Sequence, residues 1–390
     1  MKVLHVIPSV SPVRGGPSHA VIGMVGALCR AGCEAEIACT DDDGIGRLQV
    51  PCGEIVEWHG APVRFFHRAS PRIAALREFQ YSSGFSPWLR GAIGSYDLIH
   101  VHAIFSYMSS SAMLYARQAA KPYIVRPIGQ LSPWSLSQKA SKKRLYLTLC
   151  ERRNIAAARA IHCTSEAEKR DVLAFNPKLP AFVSPIGLAA TERMPDARMM
   201  LRRRFSVDET QQVVLYLGRL HEKKGIEDLL GAVARLSVDK VMLIIAGSGD
   251  HRYEATLRER ATGLGLQGRV HFTGFVTGEE KDTLLQGSDI FALPSRHENF
   301  GIAVLEALMA GLPVLIASGV AIEEFVRKIG AGVIVEPSSE AVEAALRCMI
   351  AGGAVGADER GRISEATASA FSWESIAREL IDKYNEAKTL

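Results

Sequence analysis

The chain has no Cys-x-x-Cys pair, no histidine cluster at zinc-ligand spacing and no G-x-x-x-x-G-K-[ST] loop. Structural zinc modules and P-loop nucleotide hydrolysis are thereby excluded, since the first needs clustered ligands and the second a glycine loop that cradles phosphates. Long apolar runs are missing too. The longest candidate, "IAVLEALMAGLPVLIAS", carries Glu306 and Pro313, whereas a membrane-spanning helix needs roughly 18 unbroken apolar residues. The opening "MKVLHVIPSV" loses its apolar run at Pro8 and has no small-residue cleavage site after it, so it reads as a buried strand of a cytoplasmic protein. The net charge is only +4, too little to imply nucleic acid as a partner. Seven cysteines, an odd number, read as small buried apolar residues in a reducing compartment.

What is present is an ordinary folded composition: 390 residues, 47% hydrophobic and 23% charged, enough for two or three domains. Short apolar runs alternate with amphipathic stretches, the pattern of parallel sheets covered by helices on both faces. Strands are expected at "KVLHVI", "EAEIAC", "YDLIHVH", "YIVRP", "AIHCT" and "AFVSPI". A polar linker, "GLAATERMPDARMM", follows. A second series then runs through "QVVLYLG", "VMLIIAG", "RVHFTG", "DIFALP" and "PVLIA". Two α/β halves result, with a ligand expected in the cleft between them at the carboxyl ends of the strands. "WESIARELIDKYNEA" reads as a terminal amphipathic helix packing across both.

Several loops carry candidate chemistry. After the first strand, Gly15 and Gly16 precede Pro17, a tight loop opening a helix whose N–H groups suit an anion or merely a turn. In "VVLYLGRLHEKKGIEDLL", Arg219 and Lys224 stand between a strand ending at Gly218 and a helix beginning near Gly225. Two cations and a helix dipole there suit a diphosphate, and solvated loop cations are the alternative. Glu298 and Glu306 lie eight positions apart, about 12 Å if both were helical. Paired carboxylates of glycoside hydrolysis lie roughly 5–9.5 Å apart, so the two are read as clamps on separate hydroxyl-bearing parts of one long ligand. The N–H groups of Asn299, Phe300 and Gly301 would face an anion between those parts. His100 reads as a core residue. For His102 core and cleft both stand open, and Asp41 to Asp43 in "TDDDG" read as a solvated turn. The basic stretch "QKASKKRLYLTLCERR" is either a solvated helix face or a surface for anionic lipid or an anionic acceptor.

In order, "GRLHEKKG", "AGSGD", "FTGFV", "LPSRHENFGIAVLEALMAGLPV" and "GAGVIVEP" resemble the C-terminal domain of retaining GT-B glycosyltransferases, the group called family 4. "IPSVSPVRGGPSHAV", "YDLIHVHAIFSY", "RPIGQLSPWSL" and "TSEAE" resemble their N-terminal domain, so the likeness covers nearly the whole chain. It implies an α/β GT-B fold of two Rossmann-like doubly wound domains facing across a cleft. Residues 1–187 would bind the acceptor, 188–370 the nucleotide sugar, and 371–390 would form the helix crossing between domains. The implied reaction moves a hexose from a UDP or GDP sugar to a hydroxyl of a glycan or lipid-linked acceptor, with retention, as in polysaccharide or glycolipid synthesis. Position by position, Arg219 and Lys224 would bind the diphosphate, Glu298 the sugar hydroxyls, Glu306 the ribose, and the backbone at Phe275 and Val276 the base. Gly15 and Gly16 would close on the phosphates. No metal and no cofactor are implied.

One departure stands out. Many members of the family carry a histidine near the sugar where this chain has Ile128, which makes His102 and Arg126 the substitutes to test. Acceptor choice is expected from stretches 58–95 and 103–116, and the basic stretch near Lys142 suggests peripheral contact with the inner membrane face. Rivals of the same architecture are a sugar-nucleotide 2-epimerase and a non-catalytic nucleotide-sugar-binding subunit. A nicotinamide dehydrogenase lacks its glycine fingerprint.

Overall fold

A computed structural model describes residues 1–44, 46–70, 77–189, 191–236 and 240–389. The chain divides into two compact units, one holding the residues up to Ala189 together with those from Phe371 onward, the other the residues between.

The first unit is built on an eight-stranded sheet in the order β10-β9-β8-β7-β1-β2-β6-β5. Its strands are β1 (Lys2–Ser9), β2 (Glu34–Thr40), β5 (Ile55–Trp58), β6 (Ala61–Phe66), β7 (Leu98–His102), β8 (Tyr123–Arg126), β9 (Ala160–Cys163) and β10 (Ala181–Val183). All neighbours pair parallel except β5 on β6. A two-stranded hairpin, β3 (Asp42–Asp43) with β4 (Gly46–Arg47), stands apart. The second unit has six parallel strands in the order β13-β12-β11-β14-β15-β16. They are β11 (Gln212–Leu217), β12 (Val241–Ala246), β13 (Val270–Gly274), β14 (Ile290–Leu293), β15 (Val314–Ala317) and β16 (Gly332–Val335). Central strands such as VMLIIA and LIHVH are buried along their whole length, because helices cover both faces of each sheet.

The connections reverse direction twice, and this is what places the sites. In the first unit the chain leaves β1 towards β2 and later resumes on the other side with β7. In the second it leaves β11 towards β12 and resumes with β14. The loops after β1 and β7, and those after β11 and β14, therefore part at a crevice at the carboxyl end of each sheet, where open α/β folds hold ligands.

β5, β6 and β16 were not among the expected strands. Pro62 and Arg64 break the apolar run of β6, which alternates buried and half-buried positions and so lacks the continuous signature of a doubly covered strand. The helix Trp373–Thr389 packs on the helix Gly16–Arg30 within the first unit. The Leu188 N–H donates to the Phe371 carbonyl at 2.9 Å. The Trp373 indole fills the space left by Gly23 and Gly187, where an added Cβ would come within 2.6 and 2.4 Å of the ring. Of the seven cysteines, all unpaired, only Cys33, Cys39 and Cys163 are buried, while Cys150 and Cys348 are exposed; the expectation of a buried set fails for those two. Among the described residues no helix is long and apolar enough to cross a membrane.

Candidate nucleotide-sugar site

In the second unit the loop after β11 carries Arg219, which is exposed. Its carbonyl accepts from the Tyr216 hydroxyl at 2.9 Å, and burial raises that phenol's pKa well above its ordinary value. A single 3-10 turn, Glu222–Lys224, leads to Gly225 at φ 69°, and the helix Ile226–Ala234 starts there. Gly225 is required twice over. Its φ is left-handed, and a Cβ would lie 2.1 Å from the Pro294 carbonyl oxygen. That contact, with the Arg296 N–H donating to the Lys223 carbonyl at 2.9 Å, seats the β11 loop on the β14 loop.

The seating brings Lys224 onto Glu298. Their ammonium and carboxylate form an ion pair with side chains 13% and 17% exposed. Glu298 itself forms a single parallel β-bridge with Val320 and precedes the helix, which starts only at Ile302. The helix Ile302–Met309 begins after Gly301, at φ 87°, with no side-chain cap, and the Gly301 carbonyl accepts from the Val304 N–H at 2.9 Å. Glu306, one turn further along, does not join Lys224. It pairs with Lys281 of the helix Gly278–Gly287 at 3.1 Å. Lys281 escaped sequence reading because it lies 25 residues away on another element, although half-burial of Glu306 does demand a partner. Past β13, Phe275 is 56% exposed and Val276 is buried. The glycines of "AGSGD" serve backbone contact: a Cβ on Gly247 or Gly249 would meet the carbonyl oxygens of Gly218 or Leu220 at about 2 Å.

In the first unit Gly15 has φ 78° and open space where a Cβ would stand, and Gly16 starts its helix. Three non-glycine residues at the ends of β7 and β8 adopt left-handed backbone: Ala103, Phe105 and Ile128. For β-branched Ile128 this is a genuine outlier, and such strain costs about 1–3 kcal/mol per residue. Polar side chains hold the loops there. Gln130 Oε1 accepts from the Ile104 N–H at 2.5 Å. Buried Glu168 accepts from the Gly129 N–H at 2.6 Å and from the Thr164 N–H and hydroxyl at 2.8 and 2.7 Å. Ser165 and Glu168 have capping-box spacing, and the Ser165 hydroxyl does cap the Glu168 N–H at 3.1 Å. One carboxylate oxygen turns back to Thr164, and the other reaches the Gly129 loop, which that motif does not announce.

His102 and Arg126 are both fully buried, inside a cluster with His5, His100, His162 and Tyr384. His162 Nε2–H donates to the Ser184 carbonyl at 2.8 Å, so its Nδ1 is left to accept from His100 Nε2–H at 3.3 Å. His100 Nδ1 then accepts from the Tyr384 hydroxyl at 2.7 Å. Likewise His102 turns Nδ1 to the Arg126 guanidinium at 3.5 Å and donates from Nε2 to His5 Nδ1 at 3.0 Å. This chain requires neutral rings. Burial, reinforced by Arg126, pushes His5 and His162 down to about 3, and burial holds His100 and His102 well below their ordinary value. Burial also lowers Arg126 to about 10. The ring nitrogens of His5, His100 and His102 approach within 4.8 Å, but the Arg126 cation and the existing hydrogen bonds do not fit a metal ion.

The "TDDDG" stretch is not the solvated turn expected. Asp41 and Asp42 are buried. Asp42 pairs with buried Arg68 and with Arg14, the latter at 2.6 Å, and Asp41 pairs with His67 at 2.9 Å. A buried carboxylate needs such partners; Arg68 and His67 come from a strand end 26 positions on, and Arg14 from a turn 28 positions before Asp42. The stretch 103–116 forms a loop and the helix Tyr107–Gln118, while residues 71–76 of the stretch 58–95 lie outside those described.

Two family models match the chain in succession: "Glycosyl transferase 4-like domain" over residues 15–187 and "Glycosyl transferases group 1" over residues 199–369. An uncharacterized glycosyltransferase of Methanocaldococcus jannaschii is 30% identical over 49% of this chain, and the match spans only 49% of that protein. A GDP-mannose:cellobiosyl-diphosphopolyprenol alpha-mannosyltransferase of Xanthomonas oryzae pv. oryzae is 27% identical over 99% of this chain and 97% of its own. Among solved structures, Anabaena HepE in complex with UDP superposes with a TM-score of 0.77 at 22% identity, covering 99% of this chain and 100% of that one.

Proposed function

The chain belongs to the group 1 glycosyltransferases, and on that premise we propose that it moves a hexose from a UDP or GDP sugar to a hydroxyl of a glycan or lipid-linked acceptor, with retention and without a divalent metal. One observation carries the reading: the loop bearing Arg219, the Lys224–Glu298 pair and the start of the helix Ile302–Met309 all lie at the crevice between β11 and β14. A diphosphate there would take Lys224 as its counter-ion and free Glu298 to accept from sugar hydroxyls. Arg219 and Lys224 would act most strongly as the glycosidic bond breaks, because charge then builds on the departing phosphate. That phosphate would also take the acceptor's proton on the same face. Glu306, held by Lys281, would receive the ribose, with the base near Phe275 and Val276. In the first unit His102 and Arg126 would act through the loops they underlie, since neither side chain is exposed.

GDP-mannose is the first donor to try, because it names the substrate of a relative spanning nearly the whole chain. Thermal-shift measurements with UDP, GDP, ADP and their sugars should show one nucleotide series raising the transition, as only a ligand of the native state does. Transfer to a lipid-linked glycan with that donor would complete the assignment. Flat transitions throughout would overturn it, and conversion of donor alone would indicate epimerisation instead.

A further inference from the structure

Between Ala140 and Ala156 the first unit carries one continuous helical run. It is α-helical over Ala140–Tyr146, π-helical over Leu147–Glu151 and α-helical again over Arg152–Ala156. Its inner side is well fastened: Leu147 and Ile155 are buried, and Ser110 links the Tyr146 hydroxyl at 2.6 Å to the Glu151 carboxylate at 2.5 Å. Glu151 is the only acid in the run and is fully buried. The π turn, with its wider spacing, spans it.

The outer side is therefore without negative charge. Lys142, Arg144, Arg152 and Arg153 are exposed there, around Leu145 at 61% and Leu149 at 71% exposure, one helical turn apart. Lys143 donates to the Ser135 carbonyl at 2.5 Å and so ties the run to the short helix Pro133–Ser137, where Trp134 is 40% exposed. Two leucines at such exposure, ringed by cations, need a partner that is both anionic and apolar. A second copy of this face would repel it, and single-stranded nucleic acid would ask for successive stacking rings, whereas the run itself presents leucines, with Trp134 to one side.

We propose that this face docks on an anionic lipid bilayer, with the leucines entering the acyl boundary and the cations meeting phosphate headgroups. The proposal is independent of the transfer reaction, so it is tested without donor or acceptor. The full chain should co-sediment with phosphatidylcholine vesicles only when they contain phosphatidylglycerol, less so as salt rises. Replacing Lys142 and Arg144 together by Gln should lower partitioning about 30-fold, at ~1 kcal/mol per cation near the surface. Leu145→Gln with Leu149→Gln should lower it about 100-fold, at ~1.5 kcal/mol per leucine entering the acyl boundary. Both pairs are exposed, so circular dichroism should be unchanged. The proposal is overturned if the unaltered chain ignores anionic vesicles, if it binds neutral vesicles equally, or if either double variant binds as before. Leucine-independent binding matched by single-stranded RNA would assign the face to a polyanion and overturn it too.

Discussion

Acidification from pH 7 to 5.5 should unfold the first unit far more readily than an average protein of its size. His5, His100, His102 and His162 are fully buried in a hydrogen-bond chain that only neutral rings complete, and their folded-state values lie well below 6.5. The unfolded chain, with ordinary histidines, binds more protons throughout that interval. Stability is therefore greatest above about 6.5 and is lost as pH falls, continuing down to the folded values near 3. From pH 7 to 5.5 each such histidine costs on the order of 1 kcal/mol, and four cost roughly 4–5 kcal/mol. In a unit of this size that is roughly 10–20 °C in Tm. Tryptophan fluorescence isolates the effect, because Trp58, Trp88, Trp134 and Trp373 all belong to the first unit. His162→Gln keeps a donor for Ser184 and an acceptor for His100, and should remove about a quarter of the slope. A fluorescence midpoint that stays level between pH 7 and 5.5 would refute the neutral-chain assignment.

Arg219→Ala and Lys224→Ala should each lower kcat/KM by about 10- to 150-fold, the loss of a charge-assisted contact worth ~1.5–3 kcal/mol; steady-state turnover at wild-type level in both would remove the diphosphate role. Chelation with EDTA should leave turnover unchanged, and restoration by added Mg²⁺ after a loss would contradict the metal-free reading. Gly225→Ala should destabilise the second unit by about 1–3 kcal/mol or more, because its Cβ would sit 2.1 Å from the Pro294 oxygen; calorimetry showing an unmoved transition would mean that the β11 and β14 loops are not seated as described.

The doubly wound architecture was readable because strands buried on both faces must be continuously apolar, as VMLIIA is. Where a strand lies near the sheet edge that rule lapses, and APVRFF passed unnoticed. Arg219, Lys224 and Glu298 could be singled out from local pattern alone, since all three lie in loops next to strand ends. Partners across the fold were illegible for a physical reason: Lys281 for Glu306, Arg68 for Asp42 and Gly129 for Glu168 are brought together by tertiary packing alone. Period-two alternation could have told that His100 and His102 share a face. It could not have told that Tyr384, 284 positions from His100, would cover it.

That distant tyrosine has a consequence for biosynthesis. A ribosome completes the first unit's last strand, Ala181–Val183, long before the segment beginning at Phe371, and at ~5–20 residues per second the interval lasts roughly 10–40 s. During that wait the imidazoles lie uncovered. A nascent chain must either be shielded or tolerate an unfinished face, and removing the segment after Ala370 should leave a half-built first unit prone to aggregate instead of a tidy, shorter enzyme.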